Sequence, residues 1–98
     1  MKVDKALGMI GLATKAGKIA SGEFMTENAV KSGMAFLVII SAEASDNTKK
    51  KFRNMCEFYE VPIKESWTKD ELGRATGKTF RASLAVTDEG LAQAILKK

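Results

Sequence analysis

Apolar residues recur along the chain with two different periods, and the switching between them lays out the elements. Val3, Ala6, Leu7 and Ile10 fall at i, i+3, i+4 and i+7, the spacing of an amphipathic helix. That spacing predicts a helix from about Asp4 to Lys15, stopping before Gly17. Gly8 and Gly11 weaken it, and close packing against a neighbour is the expected reason for them. Lys18-Ile19-Ala20-Ser21 reads as a short strand. A second helix opens at Ser21 or Gly22 and ends at Gly33, the residue type that favours a left-handed stop. Phe36-Leu37-Val38-Ile39-Ile40 is a continuous apolar run rich in β-branched side chains, the pattern of a central strand covered on both faces.

The second half continues the alternation. Ser45 or Asp46 caps a third helix, whose inward stripe is Phe52, Met55, Cys56 and Tyr59. Its other face carries Lys49, Lys50, Lys51 and Arg53, a run that reads either as a solvated face or as a binding patch. Pro62 favours extended chain at Val61, so Val61 to Lys64 is predicted as a strand. Thr68-Lys69-Asp70-Glu71 has the spacing of a capping box and opens a short fourth helix ending near Gly77. Phe80 to Val86 forms the last strand. Thr87-Asp88-Glu89 then starts a C-terminal helix that turns Leu91, Ala94 and Ile95 inward. With no linker or repeat, the chain is expected to fold as one domain over residues 1–98, α/β in class. Its expected architecture is a three-layer α/β/α sandwich around one small sheet.

Composition narrows the function classes. The 98 residues are 45% hydrophobic, enough for one core. No apolar run approaches the roughly 20 residues needed to span a bilayer, and no signal-peptide core follows Lys2, Asp4 and Lys5. The cytosol is the expected compartment, without a membrane partner. A single cysteine, Cys56, excludes an internal disulfide framework. The absence of histidine removes the commonest general base and metal ligand, so neither metal nor cofactor is expected. With no spaced carboxylate pair or glycine-rich phosphate loop, an enzyme is the least favoured reading. A net charge of +4 suits a polyanionic partner through phosphate contacts and counterion release.

The helix that opens at Gly22 carries the candidate chemistry. At about 100° per residue, Thr26, Ala29, Val30 and Gly33 share one face, which packs on the sheet. Phe24, Asn28 and Lys31 fall opposite, with Met25 and Ser32 on the flank. An outward Phe24 either folds over a neighbouring loop or forms an aromatic platform at a helix N-terminus, where amides also favour phosphate. Lys15 and Lys18, just upstream, are expected to flank the same end. Trp67 has two readings as well: a hydrophobic staple against Leu72, or a stacking residue on a loop.

The Gly22–Gly33 helix, the Phe36–Ile40 strand, Cys56-x4-Val61-Pro62 and Leu72-Gly73-Arg74-Ala75-Thr76-Gly77 follow one another in a recognisable order. That order resembles the kink-turn-binding ribosomal protein superfamily, the L-seven-Ae and L-thirty-e proteins, and its bacterial YlxQ-like members. The resemblance runs from Leu7 to Ile95. It implies a four-stranded mixed sheet and binding to structured RNA, including ribosomal RNA as a candidate. The contacts it implies come from the Gly22 helix and the loop before Leu72. With the flanking lysines, the expected RNA surface is Lys15, Lys18, Gly22, Glu23, Phe24, Met25, Asn28, Lys31, Lys64, Glu65, Ser66, Trp67 and Arg74.

Kink-turn binders begin this helix Gly-x-Asn-Glu-x-x-Lys and read base edges at sheared G·A pairs. Here Gly22 matches, but Phe24 stands at the Asn position, Met25 at the Glu position and Asn28 at the Lys position. Phe24 and Met25 offer no hydrogen bond to a base edge, so the usual direct readout is missing. A competing reading is a protein-interaction module, in which Phe24, Met25 and Trp67 form one apolar patch for another protein or a second copy.

Overall fold

A computed structural model describes residues 4–97. Its elements are α1 (Lys5–Lys15), β1 (Ile19–Ser21), α2 (Glu23–Lys31), β2 (Leu37–Ile40), α3 (Asp46–Tyr59), β3 (Ile63–Glu65), α4 (Lys69–Ala75), β4 (Ser83–Val86) and α5 (Glu89–Lys97). The four strands form one sheet in the order β1-β4-β2-β3. β4 runs antiparallel to both β1 and β2, while β3 lies parallel to β2. It follows that β1, β2 and β3 all run toward the same end of the sheet.

Period-two alternation in the central strands divides the interior into two layers. Leu37 and Ile39 of β2, with Leu84 and Val86 of β4, face Ile10 of α1, Leu72 of α4 and Ile95 of α5. Val38, Ile40 and Ala85 face Ala29 and Val30 of α2 and Phe52 and Cys56 of α3. All four residues of β2 are fully buried, as expected of a strand covered on both sides. The mixed α/β architecture with helices on both faces is therefore as the alternation predicts. Asp4 caps α1 through Leu7 N–H, Ser45 caps α3 through Thr48 N–H, and the Thr68–Glu71 capping box is fully formed. Val3, expected on the α1 stripe, lies outside the described residues.

Several local expectations are corrected. Gly8 faces open space, and Gly11 lies in ordinary contact, 3.8 Å, with the Ala75 carbonyl, so close packing does not require both glycines. On α3 only Phe52 and Cys56 are buried, while Met55 is half-buried and Tyr59 is exposed. The helix is about 21 Å long against strands of about 10–13 Å, so its last turn runs past the sheet. α5 buries Ala92 with Ile95 and leaves Leu91 and Ala94 half-buried. β3 begins at Ile63 instead of Val61, and β4 begins at Ser83 instead of Phe80. The residues ahead of Ser83 are drawn onto α4, where Arg81 N–H donates to the Lys69 carbonyl.

Candidate nucleic-acid interface

Because β1, β2 and β3 end together, the connections leaving them share one end of the sheet with the segment entering β4. At the β1 corner, Gly22 adopts φ 96°, a conformation open to glycine and strained for any L side chain. Its N–H donates to the Ser83 carbonyl at 2.9 Å, and its own carbonyl accepts from the Thr26 N–H and, at 2.7 Å, the Thr26 hydroxyl. No side chain caps α2, so its first-turn amides lack that internal partner.

The helical geometry read from the sequence holds within α2, but Gly33, expected on the sheet-facing side, lies beyond the helix and is exposed. Thr26, Ala29 and Val30 are buried, while Phe24 is 73% exposed, Met25 51% exposed, and Asn28 is also exposed. Glu23, expected at the surface, pairs with Lys51 of α3 at 3.0 Å. Glu27 pairs with both Lys31 at 2.7 Å and Lys51 at 2.8 Å. Those two ammonium groups pull its carboxyl down to about 2, and Glu27 first, then Glu23, raises Lys51 in turn. The run lies on an exposed face, as the solvated reading expects, and part of it is engaged in surface ion pairs. Lys51 clamps α3 to α2, and Arg53 is joined to Glu65 through two hydrogen bonds.

The segment between α4 and β4 completes this corner. Gly73 is buried so closely under it that an added Cβ would collide with the Thr79 carbonyl and the Phe80 backbone. Lys78 N–H reaches back to the Gly73 carbonyl at 2.6 Å. Arg81 then extends to β1, its Nε donating to the Ser21 hydroxyl at 3.3 Å and one Nη donating to the Phe80 carbonyl at 2.9 Å. Ser21, Met25, Thr76, Lys78 and Arg81 line one open groove beside the start of α2. Phe80 is 59% exposed on the same segment. Lys78, Phe80 and Arg81, which this corner brings together, are not among the residues the sequence singles out, because Phe80 and Arg81 read as the beginning of the last strand and Lys78 only follows the Gly77 stop. The available signal was two cations interleaved with an aromatic directly after Gly77.

The remaining expected site residues do not join this corner. Lys64, Glu65, Ser66 and Trp67 lie at the same end but on the β3 edge, three strand spacings or about 14 Å across the sheet from β1. Trp67 sits at φ 65°, with its carbonyl accepting from the Ala42 N–H and the Ser41 hydroxyl, both at 2.9 Å. Its indole N–H donates to the Asp4 carboxylate at 2.6 Å, and Lys64 Nζ lies 5.6 Å from the ring centroid. The ring packs on the cluster containing Leu72, in keeping with a staple. Arg74 pairs with Asp70 at 3.0 Å on α4. Lys31 is about 13 Å along α2 from Gly22.

Lys15 and Lys18 are also displaced from the expected position. The Lys18 carbonyl accepts from Thr87 N–H beyond the other end of β4, so Lys18 lies about 13 Å of extended chain from Gly22. The single patch expected from Phe24, Met25 and Trp67 is likewise divided, because α2 covers one face of the sheet and Trp67 packs against the other.

Among the described residues, no three metal-ligating side chains come together and no helix is long and apolar enough to cross a membrane. Cys56 is buried on the inner face of α3, and burial pushes its thiol up to about 11, far from a reactive thiolate at neutral pH.

The chain is similar to the RNA-binding protein YlxQ of Bacillus subtilis (strain 168), with 39% identity over 88 residues, covering 90% of this chain and 88% of that protein. Its structure is similar to that of a protein with unknown function from Bacillus halodurans C, with a TM-score of 0.92, 36% identity and coverage of 95% and 94% of the two chains. The 15.5kD RNA binding protein of Giardia lamblia shares the fold, with a TM-score of 0.81 at 22% identity, covering 99% of this chain and 87% of that one. The pattern of the ribosomal protein L7Ae/L30e/S12e/Gadd45 family matches residues 4–96, and the chain belongs to that family.

Proposed function

We propose that the protein is a non-enzymatic, cytosolic RNA-binding protein that grips structured RNA at the α2 end of its sheet, with ribosomal RNA as the candidate target. The observation that carries this reading is the coincidence, at one corner, of an uncapped helix N-terminus, outward Phe24 and Met25, and a basic groove edged by Lys78 and Arg81. Family membership and the similarity to a YlxQ RNA-binding protein support it.

Each part has a distinct task. The first-turn amides of α2, with Lys78 and Arg81, bind phosphate oxygens and position the RNA. The exposed ring of Phe24 accepts an unpaired base by stacking, a contact worth on the order of 1–3 kcal/mol. Asn28 supplies the neutral hydrogen-bonding group on the outward face of α2. Glu23 and Glu65, already paired with Lys51 and Arg53, keep acidic charge from confronting the phosphates. With Phe24 and Met25 in place of polar readers, the protein recognises the backbone and an unstacked base instead of sheared G·A pairs.

A titration at fixed salt against three RNAs tests this directly: a kink-turn, the same RNA with its G·A pairs disrupted, and a single strand. The expected result is similar affinity for the first two and a steep loss of binding as salt is raised. A preference of more than about tenfold for the intact kink-turn would show readout of the sheared pairs. Failure to retain any of the RNAs at low salt would reject RNA binding itself.

A further inference from the structure

The opposite end of the sheet carries a second surface. Where β2 begins and α3 ends, Phe36, Val61 and Pro62 face Ala92 and Leu96 of α5 across a groove of about 240 Å³. Phe36 and Leu96 are 40% and 43% exposed. On the last turn of α3, outside the groove lining, Phe58 is 78% exposed and packed edge-to-face on Tyr59 at 4.9 Å. A groove lined by several apolar side chains marks a docking site more often than does a scattered exposed side chain.

The rim gives the chemistry of the occupant. Glu60 and Glu89 line the groove, and Glu57 lies one turn back on α3. None of the three has an ion-pair partner among the described residues. The last turn of α3 contains no basic residue, so its helix dipole adds to the negative potential. Lys97, in the last turn of α5, is the nearest cation along that helix. Glu60 also holds φ 58°, a left-handed position better suited to glycine or asparagine. The groove thus sets Glu60 and Glu89 around a floor of apolar side chains and Gln93, at the end away from Lys78 and Arg81.

We infer that this groove docks a short basic peptide segment of a partner protein, one that alternates lysine or arginine with aliphatic side chains. The aliphatic side chains enter between Phe36 and Leu96, and the cations meet Glu57, Glu60 and Glu89. RNA phosphates are repelled by the same rim. Two-fold pairing with a second copy would place acidic rim against acidic rim, an unfavourable arrangement for an isologous interface. The protein would then hold RNA at one end and a basic tail at the other.

The test is an NMR titration of the full chain, at about 150 mM salt, with a synthetic peptide of alternating lysine and leucine. Peptides of alternating glutamate and leucine, and of alternating lysine and serine, are the comparisons. Shifts are expected at Phe36, Val61 and Leu96 with the first peptide, with affinity at least about tenfold above either comparison. Glu60→Lys and Leu96→Ser, both at exposed positions, should each weaken that binding several-fold while leaving the thermal midpoint and RNA affinity unchanged. Equal binding of the lysine and glutamate peptides would overturn the inference. So would shifts centred on α2, or concentration-dependent dimerisation through the groove without peptide.

Discussion

Trp67 occupies a left-handed backbone position without being glycine, and the surroundings hold it there. Two donors fix its carbonyl, and Asp4 fixes its indole. The indole N–H is the largest cause of a lowered Asp4 carboxyl, followed by the Leu7 amide. A carboxyl whose folded value is depressed adds stability above its unfolded value, near 3.8 here, and that stability is lost as pH falls through the lower folded value. Trp67 emission should therefore change in acid below pH 3.8, and the step should be absent in Asp4→Asn. An unchanged titration in that variant would dissociate the step from this contact. The outward turn of Phe24 was legible in the sequence because helical geometry is local. The Asp4–Trp67 contact was not, because it joins residues 63 apart.

At the scale of elements, glycines separate close approach from mere tolerance. Gly73→Ala drives a methyl into the Thr79 carbonyl and should cost about 1–3 kcal/mol, with displacement of the Lys78–Arg81 segment. Gly22→Ala meets no neighbour, yet imposes φ 96° with ψ 157° on an L residue, at roughly 1–3 kcal/mol. Gly8→Ala fills open space within α1 and should stabilise by up to about 1 kcal/mol. Urea midpoints of the three variants check this order, and a Gly8→Ala loss as large as that of Gly73→Ala would contradict it. The sequence could not distinguish Gly8 from Gly73, since periodicity does not reveal what lies opposite a helix face. The same gap hid the clamp at Lys51, whose partner Glu23 lies 28 positions earlier.

For the whole molecule, alternation of period and burial made the layered α/β/α form and the central β2 strand readable. Strand order and direction were not readable, and they decide which loops share an end. Antiparallel β4 between β1 and β2 brings Lys78, Phe80 and Arg81 beside α2 and sends Lys15 and Lys18 to the far side. Lys78 and Arg81 thus edge the groove beside Phe24, while Glu60 and Glu89 edge the groove beside Phe36 at the end that also carries Lys15 and Lys18.

Two charge-matched double variants test the location of RNA binding most directly. Lys78→Ala/Arg81→Ala removes two cations from the α2 end, and Lys15→Ala/Lys18→Ala removes two from the other. RNA affinity measured over a salt series should fall by about tenfold or more in the first pair. Its log–log salt slope should shrink by about 1.4–1.8, the release expected for two lost phosphate contacts. The second pair should remain within about twofold of the parent. Equal losses in both pairs, or a larger loss from Lys15 and Lys18, would contradict binding at the α2 end.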